Sequence, residues 1–325
     1  MRVVAGTGRC LIWGALGAFF CVGNEGVAQT PDELSGVCIV AAGQPALCAA
    51  ASVAARSLSG HVGILSGLGS EVPGTASNLG TRIGGGPRLG FSTRAAAVDM
   101  GLPDPSDATG LRETNFVVPA IHTGVTVGLF DGYRLAPTVG GFLSVDLFAQ
   151  ASFLFLPQSE GFDGSIRSYS VGARVGVFRE GFTMPGVSLS IARRYLGEFD
   201  FGDAGASDVM VLTLNPAVTA LRATVGKDLF AVEVMAGLGW DDYSGDATIR
   251  VNNGVALGAM ATATGEVSEG RFLYFGSAAM TFGIVLSVSV EGGWAKGFDP
   301  VTAYTGEHDP TKGSAFGSFS FRLTM

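Results

Sequence analysis

The sequence predicts an all-β fold: a transmembrane, antiparallel up-and-down β-barrel of about ten strands (10–14), preceded by a short helical N-terminal segment. Three observations predict it. From Arg88 to the C-terminus apolar residues recur at alternate positions, the period of a strand with one apolar face. The connections between these runs alternate long and short, as they do in membrane barrels. Finally, the chain holds 50 Gly and only 15% charged residues among 325, with a positive mean hydropathy. No stretch approaches the roughly twenty apolar residues of a spanning helix.

The first 28 residues are an export address, a signal peptide. Arg2 and Arg9 form a basic n-region, Leu11 to Val22 an apolar h-region, and Gly26-Val27-Ala28 a small-residue cleavage site near Ala28. Cleavage also removes Cys10 and Cys21. Residues 29–87 form an N-terminal segment, periplasmic or plugging the lumen. Cys38 and Cys48 bracket I-V-A-A-G-Q-P-A-L. In an exported chain this pair predicts a disulfide, and no His or third Cys stands nearby to make it a metal site. The Ala-rich stretch from Pro45 to Leu58 is the best helix candidate. Gly and Ser dominate from Ser59 to Gly86, where the reading is either an extra strand around His61 to Leu65 or a linker.

Residues 88–325 form the barrel. Its runs are centred on Leu89–Ala97, Val117–Leu129, Val139–Phe155, Tyr169–Val177, Val187–Ile191, Ser207–Val225, Val232–Trp240, Phe272–Met280, Ile284–Trp294 and Ser314–Met325. The count rises to twelve if Ser59–Gly69 or Ala247–Val251 joins the sheet. Pro216 marks a bulge or edge irregularity, and Gly226-Lys227-Asp228 a tight turn. Outer loops are expected near residues 100–114, 157–164, 197–206, 241–269 and 298–313, and inner turns near 131–138, 179–186, 226–228 and 282–283. Phe153, Phe155, Trp240, Tyr274, Trp294 and Phe319 are candidates for interfacial girdles.

The last run, S-A-F-G-S-F-S-F-R-L-T-M, places Phe319, Phe321, Leu323 and Met325 on one face and Ser318, Ser320, Arg322 and Thr324 on the other. It resembles the closing strand of bacterial outer-membrane β-barrels, although Met325 stands where that class usually carries an aromatic. The resemblance covers Arg88 to Met325. It implies residence in the outer membrane after periplasmic transit, with lipid and lipopolysaccharide as surroundings. It also implies insertion by the barrel-assembly machinery, with Phe319, Phe321, Leu323 and Met325 as the assembly signal. A helical segment ahead of the barrel is further similar to hydrophobic-compound transporters of the long-chain fatty-acid type.

Seven charged residues fall on the lumen side of the pattern: Arg94, Asp146, Arg174, Arg222, Glu233, Glu291 and Arg322. In so narrow a barrel they can pair across the interior. Acidic residues concentrate in the expected outer loops, Asp241, Asp242, Asp246, Glu266 and Glu269 among them. The net charge of −8 becomes about −9 once the export segment, with two Arg against Glu25, is gone. No basic patch answers nucleic-acid phosphates. Chemistry is sparse. His61, His122 and His308 are scattered, and Glu307-His308-Asp309 is not the Asp-x-His arrangement of ten-stranded outer-membrane proteases. Gly84-Gly85-Gly86-Pro87 lacks the Lys-Ser/Thr ending of a phosphate loop. No catalytic, metal or cofactor residues are assigned and no enzyme is expected. The function expected is a passive, porin-like channel or transporter for small solutes; the alternative is a non-conducting structural or adhesive surface protein acting through its acidic loops, which tight lumen pairing of Arg174 with a carboxylate favours.

Overall fold

The computed structural model describes residues 31–71, 88–133, 141–181, 184–203, 208–252, 259–283 and 285–324. The expected signal peptide, Gly84 to Pro87 and Met325 lie outside them. Two helices, α1 (Pro31–Ala42) and α2 (Pro45–Leu65), precede eleven strands: β1 (Leu89–Pro103), β2 (Glu113–Phe130), β3 (Ser144–Phe155), β4 (Ser165–Phe178), β5 (Gly186–Leu196), β6 (Phe199–Phe201), β7 (Met210–Leu229), β8 (Val232–Asn252), β9 (Met260–Phe282), β10 (Leu286–Ala295) and β11 (Ser314–Thr324). Each long strand pairs antiparallel with its sequence neighbour, β1 pairs with β11, and β5 pairs with β7 across the short β6. The result is a closed barrel of ten strands. Closure removes the unpaired edges that no lipid could satisfy.

Its strands change phase partway along. In β8 the outward residues Val234, Ala236, Leu238 and Trp240 are apolar, whereas beyond Trp240 the outward positions are Asp242, Ser244, Asp246, Thr248 and Arg250. The inward set does the reverse: Tyr243, Ala247, Ile249 and Val251 are buried and apolar. β7 switches between Thr219 and Leu221, β9 between Gly270 and Phe272, and β1 between Ala97 and Asp99. Trp240 and Phe272 meet edge to face at this boundary, ring centroids 4.4 Å apart. The outward apolar stretch of β8, from Val232 to Trp240, matches the roughly 9–11 residues a tilted strand needs to cross a bilayer. Around the barrel the same band shows Phe91, Ile121, Leu147, Val171, Leu189, Leu221, Leu238, Tyr274, Val290 and Phe321, all exposed. The turn half is therefore the membrane span, and the loop half stands in water with an apolar core of its own.

Several expectations change. His61 to Leu65 is neither strand nor linker but the end of α2, and Pro31–Ala42 is a second helix. Residues 241–269 are not chiefly a loop: β8 and β9 stay in register out to Asn252 opposite Met260. Ala247–Val251 thus lengthens a strand and adds none. The tight turn lies at Phe230 and Ala231, with Gly226, Lys227 and Asp228 still paired in β7. Pro216 makes no bulge; it pairs in register with Gly245, at the point where the other neighbour of β7 changes from β5 to β6. A proline costs nothing where no partner waits for its N–H. Register shifts fall instead at Gly128/Phe130 and Gly176/Phe178. β3 spans 12 residues, not seventeen.

Candidate functional site

Helix α2 occupies the lumen. Its start packs at the loop end, where the Gly110 backbone lies against Ala46 and Ala50, and its end reaches wall residues midway down β3, β4 and β10. β1 begins at the turn end, with Leu89 opposite Val127 of β2. Small residues make the fit possible: Ala49, Ala50, Ala51, Ala54 and Ala55 are fully buried. A Cβ on Gly63 would stand 2.3 Å from Tyr243 Cε1, and one on Gly60 would lie 2.0 Å from Phe298 Cζ. At the rim, Cys38 and Cys48 form a disulfide with Cα atoms 5.5 Å apart, tying α1 to α2.

The wall satisfies the carbonyls that a helix end leaves free. α2 has no basic residue in its last turn. Arg194 Nη1 donates to Gly63 O at 3.2 Å, Gln150 Nε2 to Ser66 O at 3.0 Å, Arg94 Nη1 to Leu68 O at 3.3 Å and Arg174 Nη2 to Ser70 O at 3.1 Å. These guanidiniums also oppose the negative end of the helix dipole. Arg174 further pairs with Glu71 at 2.8 Å, both side chains almost wholly buried, and Ser190 Oγ donates to Glu71 at 2.5 Å. The backbone N–H of Gly69 donates to Glu291 Oε1 at 2.8 Å. Asp241, fully buried, accepts from Arg222 Nη1 at 2.6 Å and Nη2 at 2.9 Å, and from Arg194 Nη1 at 3.3 Å.

Of the seven residues expected to face the lumen, Arg94, Arg174, Arg222 and Glu291 are thus gathered around the end of α2. Asp146 is buried opposite Arg174 in the β3–β4 register. Glu233, which accepts from Thr281 Oγ1 at 2.9 Å, and Arg322 line a cavity in the turn half with Ser92, Ser287, Ser289 and Ser320. The sequence pattern does not single out Glu71, Arg194 or Asp241 as lumen residues; the acidic stretch around Asp241 reads as loop because it is polar on its outward side. Of the girdle candidates, Phe153, Phe155, Tyr274, Trp294 and Phe319 are exposed on the outer wall, as are Phe321 and Leu323.

Two histidines fasten the helix to the β10–β11 connection and to the start of β11. His61 Nε2 lies 2.6 Å from Ser314 Oγ, and its Nδ1 lies 2.6 Å from Ser57 O. Burial, reinforced by the Arg271 charge, pushes His61 down to about 3, so the ring is neutral near pH 7. His308 contacts Ser57 and Glu113. In the same connection Thr311 Oγ1 and N donate to Asp309 Oδ1, holding that carboxyl below the usual carboxylate range. Arg56 pairs with Glu269 and donates to Asp299 O at 2.6 Å. Among the described residues no cluster of His, Cys, Asp and Glu is arranged to hold a metal ion.

No family model and no curated protein matches the chain. Solved structures do match. The translocator domain of the autotransporter NalP from Neisseria meningitidis aligns at 12% identity over 76% of this chain and 91% of its own, with a TM-score of 0.34. The outer membrane protease OmpT from Escherichia coli aligns at 10% identity over 78% and 97%, with a TM-score of 0.39. The attachment invasion locus protein Ail of Yersinia pestis aligns at 9% over 74% and 99%, with a TM-score of 0.30. Likeness at these levels carries no inference about function. The closed antiparallel wall, its outward apolar band and its mixed polar interior are those of the outer-membrane β-barrel class.

Proposed function

We propose that the protein is an outer-membrane β-barrel closed by its own N-terminal helix, non-conducting as it stands and acting through the surface of its water-exposed half. The observation that supports this best is the buried Arg174–Glu71 pair, which ties the segment following α2 to the wall in mid-lumen. Above it the helix is packed by Val98, Met100, Val118, Leu212, Val218 and Ile249 like the core of a soluble domain. In this reading the signal peptide is removed near Ala28, lipopolysaccharide surrounds the loop half, and the assembly machinery reads Phe319, Phe321, Leu323 and Met325.

One observation favours a second reading, a latent channel or transporter for small solutes. The turn half of the lumen is polar, so displacing α2 would join that vestibule to the outside. Single-channel conductance of the refolded mature chain, with and without residues 29–87, separates the two, folding being checked by heat-modifiable gel mobility. Silence from both supports a surface protein; steps from the truncated form alone support a plugged channel. Steps from the full chain would overturn the closed-barrel reading.

A further inference from the structure

The water-exposed wall has a gap. β1 and β11 pair only as far as Val98 opposite Phe316, yet β1 continues to Pro103 and β11 begins at Ser314. The β10–β11 connection fills the space, and between it and β1 a polar cavity runs inward to α2. Asp99, Asn115, Asp309 and Lys312 are exposed around its mouth, and Ser57 and His61 are buried at its floor.

Ser57 is unlike its neighbours. Ser52 and Ser59 turn their hydroxyls back to the carbonyls four residues earlier, Cys48 O at 2.9 Å and Ala55 O at 2.8 Å, the usual habit of a serine within a helix. The Ser57 hydroxyl points away instead, 3.2 Å from His308 Nε2. His308 Nδ1 in turn lies 2.8 Å from Glu113 Oε1. The tautomer that satisfies both contacts places the proton on Nδ1, donated to the carboxylate, and leaves Nε2 to accept the serine proton. Three residues from α2, the β10–β11 connection and the start of β2 thus stand as nucleophile, base and orienting carboxylate.

We propose that Ser57, His308 and Glu113 form an acyl-transfer site for carboxylic esters. Ser57 Oγ attacks the acyl carbon while its proton passes to His308 Nε2. The bond to the leaving alcohol breaks and that alcohol takes the proton from His308. Water, deprotonated by the same nitrogen, then attacks the acyl-serine, releasing the acid and returning the proton to Ser57. Glu113 holds the ring and balances its transient charge. The helix N–H groups around Ser57 are engaged within α2, so donors for the developing oxyanion come from the mouth, where Asn115 and Lys312 stand. The carboxylates Asp99, Glu113 and Asp309 outnumber Lys312, which selects neutral or cationic esters over anionic ones. Asp99 is also the first polar outward residue of β1 above the apolar band. Two sources of ester can therefore reach the gap, one from water and one from the bilayer.

The test uses the full mature chain, folded in detergent. A fluorophosphonate probe should add to Ser57, displacing fluoride, and the adduct should map to the peptide containing that residue. Hydrolysis is measured with p-nitrophenyl acetate for a soluble source and with p-nitrophenyl laurate in mixed micelles for a membrane source. Either substrate turned over by the wild type, and lost by about 10³-fold or more in Ser57→Ala and His308→Gln, supports the site and names the source. Glu113→Gln should lower kcat by about tenfold or more with little change in KM, a split that a purely structural carboxylate would not give. Absence of any adduct on Ser57 in folded wild type overturns the proposal even if a variant fails to fold, and so does hydrolysis unchanged in Ser57→Ala. The three side chains would then be a clasp that holds the β10–β11 connection against α2.

Discussion

The two halves of the lumen are built on opposite rules. In the loop half, inward positions are mostly apolar and buried charges are ion-paired, as Asp241 is with Arg222 and Arg194, or hydrogen-bonded, as Arg271 is to Lys296 O and Ser314 Oγ. In the turn half, inward Ser, Thr and Gly are interspersed with charges such as Asp146, Glu233 and Arg322, and hydroxyls pair across strands, Ser289–Ser320 at 2.5 Å and Ser188–Thr224 at 2.7 Å. The outer surface follows the reverse order. Each half therefore places its apolar face toward whichever side lacks water: lipid outside below, helix inside above. A helix in the lumen is what allows the upper half to be a packed domain while the lower half remains a membrane barrel.

The contrast is most severely broken at Asp241. Replacing it with Asn leaves two guanidiniums buried without a counter-charge, and unfolding in urea should show a loss of about 3–5 kcal/mol. Next is Gly63→Val. Its side chain would meet Tyr243 and Val218, so the helix must shift or leave. The expected cost is about 1–3 kcal/mol, with protease cleavage within residues 45–71 appearing in the variant alone. Acid should produce a comparable effect without mutation. His61 takes up a proton far more readily when undocked than when buried among Arg271, His308 and Ser314, so docking weakens as pH falls below about 6.5 and goes on weakening toward about 3. The limiting slope is about 1.4 kcal/mol per pH unit, giving about 2 kcal/mol at pH 5; a His61→Gln variant that still docks should lose this dependence. The smallest effect belongs to the turn half, where Ser289→Ala should cost no more than about 1 kcal/mol by the same urea assay because its partner Ser320 lines the polar cavity. A larger loss there would mean that the two halves are equally tightly packed.

The phase reversal also explains which parts of the fold could be read from the sequence. Ten runs of alternation, the closing strand and the cysteine pair were legible because each is a local pattern. The outer halves of β8 and β9 were not. There the apolar set moves from Leu238 and Trp240 to Tyr243, Ala247 and Ile249, and a reading that equates apolar with outward takes the acidic outward residues for a loop. Helix α2 was legible only to Leu58, since Ser59, Gly60 and Gly63 have poor intrinsic propensity and owe their helicity to the surrounding wall. The Ser57–His308–Glu113 group left almost no trace. Its members are brought together from places far apart in the chain, 251 residues separating Ser57 from His308 and 195 separating His308 from Glu113. The triplet around His308 was its only local sign.

The disulfide between α1 and α2 bears on how the plug can leave the lumen. α1, like α2, packs against the inner wall, with Leu34 and Cys38 in the same core as Ala263 and Val267 of β9. Once Cys38 and Cys48 are joined, the two helices dock or leave as one unit, and losing the plug means giving up the buried contacts of both. The bond therefore keeps α1 beside α2 when hydrogen bonds at the end of α2 open, so that local opening there does not release the start of the helix.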